Sequence, residues 1–170
     1  FPGEEQRTGR IYAPTGHCRI TGQRLSGIVH DDNCRSLGGI CGHAGLFGTS
    51  TAVLRLAEEF LALYLGSKTA LSISSNTFRT ACERVGLSDW STGFQLPTPG
   101  RSSSGTHFSP KSFGHLGFTG TSFWIDPVRQ LIVVLLTNRV VKGEDRSGIQ
   151  RVRPEVHDRI VLYLNGTKGG

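Results

Sequence analysis

At 170 residues and 36% hydrophobic content, the chain is long enough for one domain with a real core and too short to promise two. Its longest apolar run, Leu131 to Leu136, is far below the ~20 residues a membrane-spanning helix needs, and no charged-then-apolar leader opens the sequence. Nineteen Lys and Arg against thirteen Asp and Glu give a net charge of +6. The basic residues are scattered and no aromatic-interleaved stripe occurs, which argues against a nucleic-acid partner.

Phe1 stands where an initiator Met is expected and the chain has no Met at all, so it reads as a processed form or a piece of something longer. The first thirty residues, rich in Gly, Arg and Thr, read as extended or loop structure. Cys18, Cys34, Cys41 and Cys82 fit free thiols or up to two disulfides. The Cys34, Cys41 and His43 spacing matches no usual structural-zinc pattern, so no metal and no cofactor are expected. Gly38, Gly39, Gly42, Gly45 and Gly48 mark a segment where the chain turns sharply or approaches a ligand.

Regular structure is expected next. Thr49, Ser50 and Thr51 offer capping oxygens, and Val53, Leu56, Ala57, Phe60 and Tyr64 recur at helical spacing before Gly66. Ser74 or Ser75 caps a second helix with Phe78, Ala81, Cys82 and Val85 as its apolar face, ending at Gly86. From Asp89 to Ser112 the sequence is a long loop that Trp90, Phe94 and Phe108 pin to a surface. The period then changes to that of strands: Phe113 to Phe118, Thr121 to Asp126 and Leu131 to Asn138, the last two joined tightly and so antiparallel. Phe123 and Ile125 share one face, with Ser122 and Trp124 on the other. The final strand is apolar on both faces and needs cover on both, one side from a closing helix with Pro154 in its first turn and a Val156, Ile160, Leu164 stripe. The helix of residues 52–65 is the candidate for the other side.

Several segments in this order carry a resemblance: His30-Asp31-Asp32-Asn33, Gly42-His43-Ala44-Gly45-Leu46-Phe47, Phe113 through Ser122 with its Gly114-His115-Leu116-Gly117-Phe118-Thr119 core, Trp124-Ile125-Asp126-Pro127, and Val133 to Asn138. Together, from about Val29 to about Leu164, they resemble the serine β-lactamase and penicillin-binding-protein family. The nearest branch is that of class C-like β-lactamases, D-Ala-D-Ala carboxypeptidases and esterases. The resemblance implies an α+β fold of the α/β-sandwich type, an antiparallel sheet with flanking helices, incomplete without an N-terminal part. On that reading residues 1–28 are an extended segment, 29–112 a helical and loop region bordering the cleft, and 113–170 the C-terminal strands and closing helix of the same domain.

The resemblance also implies chemistry. The family uses a Ser-x-x-Lys nucleophile, a Tyr-x-Asn or Ser-x-Asn proton-transfer motif and a Lys-Thr-Gly or His-Thr-Gly strand. His115-Leu116-Gly117 matches the third, with His115 catalytic beside the nucleophile and Gly117, Phe118 and Thr119 binding substrate. Gly117 lets substrate lie along the strand, and the Phe118 N–H is an oxyanion donor. Lys68, Lys111, Lys142 and Lys168 are preceded three positions earlier by Leu65, Phe108, Arg139 and Asn165, so this chain holds no Ser-x-x-Lys. Ser74-Ser75-Asn76 reads as a helix cap, and Tyr163-Leu164-Asn165 falls after the third motif. Leu116 replaces a hydroxyl residue that helps bind a substrate carboxylate in the family, and a leucine cannot donate that hydrogen bond.

The chain is therefore expected to be the C-terminal part of a serine hydrolase working by acyl transfer, inactive alone. Its partner would be a missing N-terminal part carrying Ser-x-x-Lys and Tyr-x-Asn, and its substrate a β-lactam, peptide or ester. The family favours a periplasmic or extracellular setting. The alternatives are an esterase rather than a β-lactamase, or a non-catalytic β-lactamase-like binding or scaffold module.

Overall fold

The computed structural model describes residues 11–143 and 145–166, so the extended reading of residues 1–10 lies outside the described residues. The order is β1 (Pro14–His17), β2 (Arg24–Ser26), α1 (Asp32–Ser36), α2 (Ser50–Leu65), α3 (Ser75–Ala81), β3 (Phe113–Leu116), β4 (Ser122–Asp126), β5 (Leu131–Leu135) and α4 (Ser147–Gly166). A 3-10 turn covers Val140–Lys142. β1 and β2 form a two-stranded antiparallel hairpin, and β3-β4-β5 a separate three-stranded antiparallel sheet. No described helix is long and apolar enough to cross a membrane.

The three-stranded sheet is covered on both faces, as its apolar strands require. On one face Phe113, Phe123, Ile125 and Ile132 pack against Ala57, Phe60, Leu61, Leu63 and Tyr64 of α2, Phe78 of α3, and Phe94 and Leu96 of the long loop. On the other, Trp124, Leu131 and Val133 pack against Phe108 and against Ile160 and Val161 of α4. α2 begins and ends where its caps dictate. Thr49 accepts the Ala52 N–H, and Gly66, at φ 77°, turns the chain away while Ser67 donates back to the Ala62 carbonyl.

Four element readings need correction. α3 stops at Ala81, and Val85 is exposed, because residues 82–88 turn to bond Trp90 through the Val85 N–H. α4 starts seven residues before Pro154, which lies inside it; Asp145 accepts from both the N–H and hydroxyl of Ser147 and sets the earlier start. Its inward stripe is Arg153, His157 and Val161, with Leu164 exposed. Hydrophobicity alone misplaces that stripe because two of its members are polar groups that find partners inside: His157 donates through Nδ1 to the Ser103 carbonyl at 2.9 Å, and Arg153 through Nη2 to the Gly117 and Thr121 carbonyls. Finally, β3 and β5 are shorter than their apolar runs. Gly117 to Thr121 forms a tight turn, and residues 136–139 leave the ladder when the Thr137 hydroxyl bonds the Gly120 carbonyl and the Asn138 amide bonds the Pro14 carbonyl.

The long loop is fixed rather than loose. Phe94 and Phe108 are buried as expected, but Trp90 is 44% exposed and packs on His115 instead. Asp126, fully buried, accepts from the N–H and hydroxyl of Ser109, from Arg129 and from the Val128 N–H. Burial pushes its carboxyl up, yet the Ser109 and Arg129 hydrogen bonds outweigh this and hold it below the usual carboxylate range. Asp158 of α4 accepts from the N–H groups of Thr106 and His107, and a side chain at Gly105 would collide with it.

Candidate active site

The turn joining β3 to β4 is the centre of the site. The Gly117 N–H donates to the Thr121 carbonyl at 2.8 Å and the Gly120 N–H to the Gly117 carbonyl at 3.1 Å. Gly120 sits at φ 109°, where a side chain would be strained. Gly117 needs to be glycine for a local reason as well: a Cβ there would collide with the Thr121 hydroxyl. Gly117, Phe118 and Thr119 are thus turn residues at the end of β3, rather than part of the strand itself.

β3 is an edge strand. Its outer side is covered at Gly114, which exchanges both backbone hydrogen bonds with Gln95, at 2.8 and 3.0 Å. Beyond that point the cover ends. Among the described residues the Phe118 N–H has no partner, whereas the Phe118 carbonyl accepts from Arg139 at 2.8 Å. The Phe118 ring is held from two sides. His30 stacks on it at 4.5 Å with 19° between planes, and the Arg139 guanidinium lies 4.7 Å from its centroid. His30 is itself buried against Gly16 of β1, so the opening hairpin reaches the turn through this stack.

Leu116, Gly117 and Phe118 line a cleft of about 660 Å³ that also contains Arg101, Arg139, Arg146 and Arg153. Asp145 stands near Arg139, and Arg101 lies 3.6 Å from Asp89. Arg153 is 6% exposed and braces the turn; burial, and then Arg139, pull its pKa below that of an ordinary arginine. Sequence reading counted these arginines as scattered. Their convergence exists only in space, since they come from the long loop, the segment between β5 and α4, and the second turn of α4.

His115 and Thr119 do not line this cleft. His115 occupies the face of β3 shared with Phe113, exposed and edge-on to Trp90 at 5.6 Å. Its Nδ1 lies 2.9 Å from the Leu116 carbonyl. A carbonyl only accepts, so Nδ1 carries the hydrogen and Nε2 is the atom able to take or give a proton. The structure therefore gathers Leu116, Gly117 and Phe118 on one side of the strand end and leaves His115 on the other, separated by the strand backbone. Ser74 caps α3 by accepting the Thr77 N–H at 3.1 Å, and Tyr163 is exposed on α4. His43 turns to Asp31 at 3.1 Å.

The beta-lactamase family profile matches residues 2–157. The chain is 30% identical over 141 residues to a protein of Escherichia coli K12 named as a D-alanyl-D-alanine carboxypeptidase, covering 78% of this chain and 30% of that protein. It is 33% identical over 138 residues to a Salmonella gallinarum protein of the same name, covering 78% and 31%. The chain thus spans under a third of the length of these curated relatives. In fold it resembles the crystal structure of a beta-lactamase from Mycobacterium bovis, with a TM-score of 0.58 at 19% identity, over 76% of this chain and 53% of that one.

Proposed function

The chain belongs to the beta-lactamase family, and from that premise we propose that it forms the third-motif wall of a serine hydrolase acting by acyl transfer. The observation that carries this reading is the Phe118 N–H, without a partner among the described residues, at the open end of an edge strand and beside the cleft. Such a donor, held by a turn that Gly117 and Gly120 fix, is what a developing oxyanion requires. His115 takes the electropositive position beside the nucleophile, on the other side of the same strand end. The serine and its lysine come from a segment carrying Ser-x-x-Lys, which this chain lacks, so the chain alone is expected to be inactive. Leu116 presents an apolar side chain to the cleft, so a substrate carboxylate would be met there by guanidinium groups in place of a hydroxyl, and esters lacking one would fit without penalty.

In a full-length protein containing both upstream motifs, His115→Ala is expected to slow acylation by a penicillin-type probe or a p-nitrophenyl ester by about 10²-fold or more. Unchanged rates would reduce His115 to a structural residue, and no acylation of the unaltered full-length protein would favour a binding or scaffold module. Nitrocefin turnover by the 170-residue chain itself, with stoichiometric acylation by intact mass, would overturn the reading.

A further inference from the structure

Outside this site, the Cys34 thiol and the Cys41 backbone N–H converge on one carbonyl. After α1, Gly38 and Gly39 take φ values of 90° and 86° and reverse the chain, with the Gly39 N–H bonding the Cys34 carbonyl at 2.8 Å. The Ala44 carbonyl then accepts both the Cys34 thiol at 3.3 Å and the Cys41 N–H at 3.1 Å. Cys41 is also the neighbouring group that, after burial, raises the pKa of the Cys34 thiol. The loop is closed tightly here: a side chain at Gly45 would collide with the Gly39 carbonyl and reach to 3.3 Å from the Cys34 sulfur. Cys34 is fully buried, and Cys41 is partly exposed.

We infer that Cys34 and Cys41 are a redox pair, a dithiol that closes reversibly to a disulfide on exchange with a small-molecule disulfide such as oxidised glutathione. The partly exposed Cys41 reacts first. Its thiolate attacks one sulfur of the small disulfide, forming a mixed disulfide and expelling one thiolate. Cys34 then attacks the Cys41 sulfur and expels the second, and the two protons lost by the protein thiols are taken up by the two expelled thiolates; the protein dithiol is oxidised and the small disulfide is reduced to two thiols. That order fits the surroundings, because burial, and then the neighbouring Cys41, keep the Cys34 thiol protonated above its ordinary range. Cys82 is a poor competitor, its thiol pushed up to about 12 by burial. The bond would tie α1 to the loop that follows it. α1 in turn holds residues 29 and 30, since Arg35 donates to the Val29 and His30 carbonyls at 3.1 and 2.7 Å. The pairing is independent of any hydrolytic activity.

The test uses the full 170-residue chain. Incubated with oxidised glutathione and quenched in acid, it is expected to lose about 2 Da, the two thiol hydrogens. Tryptic digestion should then give one cross-linked species joining residues 25–35 to residues 36–55, which dithiothreitol separates. Amides of residues 34–45 should exchange about tenfold more slowly in the oxidised chain. A glutathione adduct that stays on Cys41, a bond from Cys18 to either thiol, or an unchanged mass would each overturn the inference. Because the unaltered chain is read directly, the outcome does not depend on whether a Cys41→Ser variant folds; where it folds, that variant should show neither the mass loss nor the slowed exchange.

Discussion

The sheet of residues 113–135 and the opening segment of residues 11–48 are held by different forces. The sheet lies between α2 and α4 with Phe113, Trp124 and Ile125 fully buried, so removal of apolar surface from water stabilises it. The opening segment leaves Leu37, Ile40 and Leu46 exposed and meets the rest through a few directed contacts: Asn138 to the Pro14 carbonyl, and His30 on Phe118. One region is therefore cooperative and the other is docked. The candidate site sits at their junction, where the β3–β4 turn belongs to the first and is braced by the second.

The largest expected effect lies in the sheet. Trp124→Ala should cost about 3–5 kcal/mol, a large part of the stability of a domain this size, and should lower the urea midpoint for every probe at once. A loss confined to one region would show that the sheet and its covering helices do not unfold as one unit. Next comes the polar anchor at Asp126. Ser109→Ala should cost about 1–3 kcal/mol by leaving a buried carboxylate short of donors. Because the folded Asp126 titrates below its ordinary 3.8, its contribution is fully present above that value and is lost as pH falls through the lower folded value. Acid unfolding of the Ser109→Ala chain should accordingly begin at higher pH than in the unaltered chain; identical acid profiles would assign the acid sensitivity to other carboxylates. The smallest effect is the most local. Phe118→Ala removes the His30 stack and the Arg139 contact, together worth about 1–2 kcal/mol, and should speed amide exchange in residues 11–48 about tenfold while leaving residues 122–135 unchanged. Uniform acceleration would show that the opening segment is not a separately docked unit.

The sequence made the sheet legible because its signals are local. Capping by Thr49 and Ser74, the helical spacing that ends at Gly66, and the alternation around Trp124 each involve neighbours within a turn or a strand. The turn motif at residues 114–119 was legible for the same reason, as an ordered run of particular residues. The polar interior of α4 was not, since Arg153 and His157 look like surface residues until the carbonyls of Gly117, Thr121 and Ser103 are placed opposite them. Val85 and Pro154 misled because periodicity and helix-start preference both yield to a stronger nearby hydrogen bond.

The sequence by itself determined the family, the antiparallel strands, the capped helix and the absence of a Ser-x-x-Lys from these 170 residues. Those follow from residue order and from interactions a few positions apart. Only the tertiary structure decided that Phe118 and not His115 lines the cleft, that Arg101 joins Arg139, Arg146 and Arg153 there, and that Cys34 and Cys41 share one carbonyl. Each of these depends on a chain reversal or a strand face, whose direction is set by long-range packing and hydrogen bonding rather than by the residues on either side.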